Sequence, residues 1–123
     1  MIKIVFFTNN LHKVKELNEL SLDKSFQVIP YQDVLGSKVE VVEDGLTFQE
    51  NAIKKVKGIA SIKNHYLLAE DSGLEVAELE GRPGIYSARY AGEDASRQQM
   101  CEKILNEMKA CENRSAQYRA VFA

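Results

Sequence analysis

Ile2-Lys3-Ile4-Val5-Phe6-Phe7 runs directly into Thr8-Asn9-Asn10 and then into Leu11-His12-Lys13-Val14. Apart from Lys3, the first run is β-branched or aromatic, which is the composition of a buried strand. Thr8, Asn9 and Asn10 favour turns and helix caps and stop it. Beyond them Leu11, Val14, Leu17 and Leu20 recur at steps of three on a lysine- and glutamate-rich background. That spacing predicts one face of an amphipathic helix. The chain therefore opens strand, polar turn, helix.

The same alternation continues. Phe26 to Tyr31 reads as a second strand that ends at Pro30, and Val39 to Val42 as a brief extended run at an edge. Thr47-Phe48-Gln49-Glu50 fits a capping box, in which hydroxyl and carboxylate each satisfy the other's backbone donor. Phe48, Ala52, Ile53, Val56, Ile59 and Ala60 form the apolar stripe behind it. Lys54, Lys55 and Lys57 lie off that stripe and read as a solvated face, with Glu50 and Lys54 an i,i+4 pair. Tyr66 to Ala69 is a buried strand leading into Glu70-Asp71-Ser72-Gly73, and Leu74 to Leu79 extend as a hairpin arm. Gly81 to Gly84 make a turn. Asp94 is placed to cap a last helix whose buried face is Met100, Cys101, Ile104, Leu105 and Met108, and Tyr118 to Ala123 form a closing strand. Strands alternating with helices predict an α/β domain with a partly parallel sheet.

Whole-chain properties narrow the class. At 123 residues with 45% hydrophobic content, one domain with a packed core is expected over residues 1–123. Sixteen basic against 18 acidic residues give a formal charge of −2. A balance like this argues against nucleic acid or a membrane surface as partner. Cys101 and Cys111 are not in a C-x-x-C arrangement and read as reduced thiols, one packed and one at the surface. The apolar start is too short for a signal or spanning segment, so a cytoplasmic location is expected. The last residues lie inside an apolar strand, which reads as a C-terminally truncated chain.

Ligands of open α/β sheets sit outside the carboxyl ends of the strands. Two polar clusters fall there. Thr8-Asn9-Asn10-Leu11-His12-Lys13 joins a strand end to a helix N-terminus, where backbone N–H groups and the helix dipole attract an anion. Thr8 and Asn10 add donors, and Lys13 adds a point charge. The glycines of a Walker loop are absent. Spacing alone equally allows a capped helix start with a solvated lysine. Glu70-Asp71-Ser72-Gly73 places two acids at the end of a buried strand, where they repel each other and resist desolvation. Neighbouring strand side chains point to opposite faces, so at least one acid should face the crevice. A hard cation such as Mg²⁺ gives a reason for it, and a solvated turn is the alternative. Glu43-Asp44 is a further acidic pair, readable as a loop that complements the following helix dipole. His12 and His65 are scattered, with no zinc-ligand companions.

Four segments taken in order resemble the inosine triphosphatase family. They are Thr8 to Lys13; Gly45-Leu46-Thr47-Phe48-Gln49-Glu50-Asn51-Ala52; Glu70-Asp71-Ser72-Gly73-Leu74; and Gly81-Arg82-Pro83-Gly84-Ile85-Tyr86-Ser87-Ala88-Arg89-Tyr90-Ala91-Gly92. The resemblance implies an α/β fold with a curved mixed sheet flanked by helices, a cleft between two lobes, and a homodimer. It implies hydrolysis of non-standard purine nucleoside triphosphates (ITP, dITP, XTP) to monophosphate and pyrophosphate, with Mg²⁺. By position, Thr8, Asn9, Asn10, Leu11, His12 and Lys13 match the triphosphate loop, in which the family commonly has glycine where Asn9 stands. Asn9 tolerates left-handed turns nearly as well. Glu43 matches a magnesium-binding acid. Asp71 matches the acid assigned as metal ligand and general base. Ser72 matches a substrate contact and Lys55 a phosphate-touching lysine, while Arg89 aligns loosely as a further cation. The family's C-terminal third, with its Phe-Gly-Tyr-Asp and Ser-His-Arg segments, is missing, and nothing in residues 1–123 replaces those base-reading parts. An inactive fragment that retains only the metal and triphosphate half is the alternative.

Overall fold

A computed structural model describes residues 1–123. Its strands are β1 (Ile2–Phe7), β2 (Phe26–Pro30), β3 (Tyr66–Val76) and β4 (Ala116–Phe122). Its helices are α1 (Leu11–Leu20), α2 (Tyr31–Leu35), α3 (Phe48–Gly58) and α4 (Arg97–Glu107). The four-stranded sheet has the order β2-β1-β3-β4. β1 lies parallel to both neighbours, with Val5 opposite Ile29 and Leu67. Ala69 and Ala123 exchange two 2.9 Å backbone hydrogen bonds, the signature of an antiparallel pair, so the sheet is mixed. The α/β expectation is met.

The chain divides into two compact units, residues 1–70 with 122–123, and residues 71–121. In the first unit β1 is covered on both faces. Phe6 packs with Val14 and Val28, flanked by Ile4, Leu17, Phe26 and Leu68. Val5 faces the other way and packs with Tyr31, Ile59 and Ile62. Period-2 alternation with apolar residues at every position is what a strand buried on both sides requires. Burying each such side chain contributes about 1.5–3 kcal/mol. Asn18 of α1 grips β2, accepting from Val28 N–H at 2.7 Å and donating to Val28 O at 2.9 Å.

Several local expectations are corrected. In α1, Val14 is buried and Leu17 half-buried, but Leu11 and Leu20 are 68% and 72% exposed, so the apolar stripe is narrow. Tyr31 begins α2 instead of ending β2. Val39 to Val42 join no strand; Val39 packs on the core, and Val41 lies against Gly58. Thr47 does cap α3, accepting from Glu50 N–H at 3.1 Å, but Glu50 reaches back to Leu46 N–H, one residue further than a capping box. Lys54 pairs with Asp44, not with Glu50.

In the second unit Val76, Leu79, Ile104 and Met108 form the core, with Leu74, Tyr90, Met100 and Cys111 around it. β3 is one continuous strand to Val76, followed by a 3₁₀ turn at Ala77–Leu79, so no separate arm begins at Leu74. The cap of α4 is Ser96, not Asp94: Ser96 accepts from Gln99 N–H at 3.1 Å, and Gln99 accepts from Ser96 N–H at 2.7 Å. Leu105 and Cys101 lie on the exposed side of α4, and Cys111 supplies the packed sulfur.

Candidate functional site

In the first unit the Thr8–Lys13 turn is shaped by its own side chains. Thr8 Oγ1 accepts from Asn10 N–H at 3.0 Å, and Asn10 Oδ1 accepts from His12 N–H at 3.0 Å, which makes Asn10 the N-cap of α1. These bonds satisfy local donors at the start of a helix whose first turn carries no acid. The left-handed non-glycine residues are Lys24, Asn64 and Glu80, so Asn9 does not draw on its tolerance for that conformation. Leu11 and His12 are exposed.

Four charged residues from distant segments, Lys13, Glu43, Lys55 and Glu70, gather at the end of the β3 half that belongs to this unit. Lys13 Nζ donates to Glu70 Oε1 at 2.8 Å, and Lys55 Nζ donates to the Glu70 backbone carbonyl at 3.0 Å. Lys55 Nζ also lies 2.9 Å from Glu43 Oε1. The Lys55 side chain is only 15% exposed, so it is not part of a solvated face. Its neighbour Lys54 lowers the carboxyl of Asp44 below the ordinary value by hydrogen bonding and charge. The segment that carries Glu43 is braced from behind. Asn51, 2% exposed, accepts from Gly45 N–H at 2.8 Å, and a Cβ on Gly45 would fall 2.6 Å from that oxygen. The Gly45…Asn51 spacing of the second motif is therefore a loop brace.

In the second unit Asp71 is buried at 7% exposure and Ser72 is half-buried. Gly73 follows beneath the turn at Gly84–Arg89. Ser87, also buried, accepts from Leu74 N–H at 3.0 Å and donates to Gly84 O at 2.6 Å. A side chain at Gly73 would collide with that turn. Two of the motif segments, Glu70–Leu74 and Gly81–Gly92, are thus joined by packing that only glycine permits. Glu70 and Asp71 are not equivalent acids: Glu70 pairs with Lys13, and Asp71 is buried in β3.

Sequence reasoning placed Lys13, Lys55, Glu43 and the turn, and the first unit brings them together. It gave Glu70 no specific role, although its side chain and its carbonyl each hold one lysine. It also missed Gln32, whose Nε2 donates to Asn9 Oδ1 at 2.8 Å. Arg89 lies in the second unit, at the end of the 3₁₀ turn, with its guanidinium over the Tyr86 ring at 5.6 Å.

The Ham1 family model matches residues 4–123. The chain belongs to the Ham1 family. Curated relatives from Leuconostoc mesenteroides and Bacillus subtilis, both called dITP/XTP pyrophosphatase, are 42% and 41% identical. The matches cover 99% and 100% of this Ham1 chain, but 62% and 63% of the relatives. Among solved structures, the Staphylococcus aureus Ham1 protein superposes with a TM-score of 0.83 at 41% identity, covering 98% of this chain and 61% of that one. A Coxiella burnetii HAM1 protein superposes at 0.86 with 37% identity, covering 100% and 62%. This Ham1 chain therefore spans about three-fifths of the length of the relatives it matches. The resemblance drawn from the four motifs and the expected mixed-sheet fold are both borne out. No helix is long and apolar enough to cross a membrane.

Proposed function

We propose that this chain carries the phosphate-handling part of a nucleoside-triphosphate pyrophosphohydrolase acting on non-standard purine nucleotides. ITP, dITP and XTP would give the monophosphate and pyrophosphate. The observation that carries the reading is the meeting of Lys13 and Lys55 at Glu70, next to a helix-start turn. Two ammonium groups beside the start of α1, where the helix dipole favours an anion, form a clamp for consecutive phosphates. The names of the relatives supply the substrate class.

The donor chemistry suits Mg²⁺. No three His, Cys, Asp or Glu side chains gather into an all-protein cage. Mg²⁺ is commonly held by one or two carboxylates together with water and substrate phosphates. Glu43, its side chain 41% exposed and lying beside Lys55, offers such an oxygen, and the buried acid Asp71 offers another. When bound, Mg²⁺ would screen phosphate charge and stabilise the departing pyrophosphate. The protein's own part is positional. Lys13 and Lys55 orient phosphate oxygens, and the side chains and backbone of the Thr8-Asn9-Asn10-Leu11-His12 turn fix the tail. Asp71 orients or deprotonates the attacking water, and Ser72 contacts the substrate. A homodimer in the cytoplasm, with neither nucleic acid nor membrane as partner, completes the proposal.

Pyrophosphate release from ITP, XTP and ATP with Mg²⁺ tests it. ITP and XTP are expected far above ATP, and Asp71→Asn is expected to abolish turnover while leaving the fold intact. Full hydrolysis by Asp71→Asn would remove the centre of the mechanism. A second reading is favoured by the coverage of the relatives, about 62%. On that reading the chain binds Mg²⁺-triphosphate without turnover, and the same assay combined with a binding measurement separates the two.

A further inference from the structure

We infer that Gln32, the second residue of α2, is a positioning residue that holds the Thr8–Lys13 turn ready for phosphate by tethering Asn9. The inference rests on the phosphate reading of that turn. The hydrogen bonds within the turn join residues two or three apart in sequence, so they fix its shape, and the Lys13–Glu70 pair places its far end. Asn9 supplies a long-range tie. Its Oδ1 accepts from Gln32 Nε2 at 2.8 Å and, more weakly, from the Tyr31 hydroxyl at 3.4 Å, and Gln32 stands 23 positions from Asn9 in sequence.

The far end of this tie is rigid. Tyr31 is completely buried, and its ring stacks on Phe7, the last residue of β1, at 4.8 Å with an 8° interplanar angle. Its hydroxyl also accepts from Val39 N–H at 3.1 Å, which fixes the ring end. Gln32 Nε2 lies 3.4 Å from the same hydroxyl, so the amide is held between Tyr31 and Asn9. The strand end, the aromatic stack and the turn thereby form one frame. Without the tie the stretch between Phe7 and Lys13, held only at its ends, must be ordered when ligand arrives, and that ordering lowers affinity.

The test uses the full chain with Mg²⁺ and inorganic tripolyphosphate. Gln32→Leu removes the donor and Asn9→Ala the acceptor, and both sites are exposed. Each variant is expected to weaken tripolyphosphate binding about two- to tenfold, the net worth of one hydrogen bond. Each should also speed amide exchange in a peptide covering residues 6–14. The double variant should be no worse than either single one, because the two groups act through one bond. Additive losses would overturn the inference, since Gln32 would then not act through Asn9. So would unchanged affinity and exchange in Gln32→Leu when the parent chain binds. A parent chain that binds no tripolyphosphate sinks the phosphate reading itself and this role with it. Amide exchange then reports separately whether the tie exists.

Discussion

Replacing Gly73 with alanine tests the packing of β3 just past Asp71. A Cβ at position 73 would lie 2.6 Å from Ser87 Oγ and nearer still to the carbonyl oxygen of Gly84. Relief requires the Gly84–Ser87 turn to move by about 1 Å, and overpacking of that kind costs about 1–3 kcal/mol. The same movement strains two hydrogen bonds that pass through the Ser87 hydroxyl, from Leu74 N–H and to Gly84 O. At about 0.5–1.5 kcal/mol each, they bring the total to about 2–6 kcal/mol. Urea unfolding should show the midpoint falling by roughly 1–3 M. Gly81→Ala is the control. Its φ is +85° with nothing within 4 Å of an added Cβ, so only backbone strain applies, about 1–2 kcal/mol. Ser87→Ala should cost less in the Gly73→Ala background than in the parent, because its bonds are already compromised there. A Gly73→Ala midpoint equal to that of Gly81→Ala, or strict additivity with Ser87→Ala, would refute the packing argument.

Two further outcomes are expected. Lys13→Met should change stability by less than about 1 kcal/mol, because the Lys13–Glu70 pair is 39% exposed on the lysine side and exposed pairs are worth little. The same variant should weaken tripolyphosphate at least tenfold, as expected for losing a charged hydrogen bond of about 1.5–3 kcal/mol; calorimetry and urea titration on one preparation compare the two. Tyr90 gives a pH signature. Burial, then its hydrogen bond to Glu107, raise its phenol above the ordinary value. A raised acid binds its proton more tightly when folded, so its contribution is whole below about pH 10 and is lost as pH climbs through the folded value. Subtracting the Tyr90→Phe stability profile from the parent's should leave a difference that falls only above about pH 10; a flat difference would contradict the assignment.

What the residues revealed in advance follows the range of the interactions. β1 was legible because a strand covered on both faces must be apolar at successive positions, and Ile4 to Phe7 are. The caps at Asn10 and Thr47 were legible because they act within three residues. Asp94 misled because Ser96 and Gln99 satisfy each other two residues later, and two reciprocal bonds outweigh one. Val39 to Val42 look extended in isolation, but Val39 packs on the core and Val41 against Gly58, so side-chain contacts and not a strand ladder hold the segment. The Glu50–Lys54 pair failed for a non-local reason: Asp44 competes for Lys54 from the preceding loop. At the site, Lys13 and Lys55 were legible from position and resemblance. The tie from Gln32 to Asn9 was not, since no local pattern brings α2 to the end of β1.

The arrangement of the lysines bears on how a chain of net charge −2 could hold a polyanion at all. A diffuse basic surface is not available, so attraction has to come from a few cations already in place. Ordering a long side chain on binding costs about 0.5–1.5 kcal/mol, and two lysines would pay it twice. Here Glu70 supplies an anchor to both, its carboxylate to Lys13 and its carbonyl to Lys55. Much of that ordering is therefore completed on folding. The opposing cost is whatever the resident pairs are worth when a phosphate shares the ammonium groups. For the half-exposed Lys13 that is small, about 0–1 kcal/mol. For Lys55, 15% exposed, one contact is a neutral carbonyl, which it can keep, and the other is the 41%-exposed carboxylate of Glu43, with which a phosphate would share the ammonium. Glu70 thus makes the cations ready without neutralising both, a reason for an acid to stand immediately before Asp71 that repulsion between neighbouring carboxylates would otherwise disfavour.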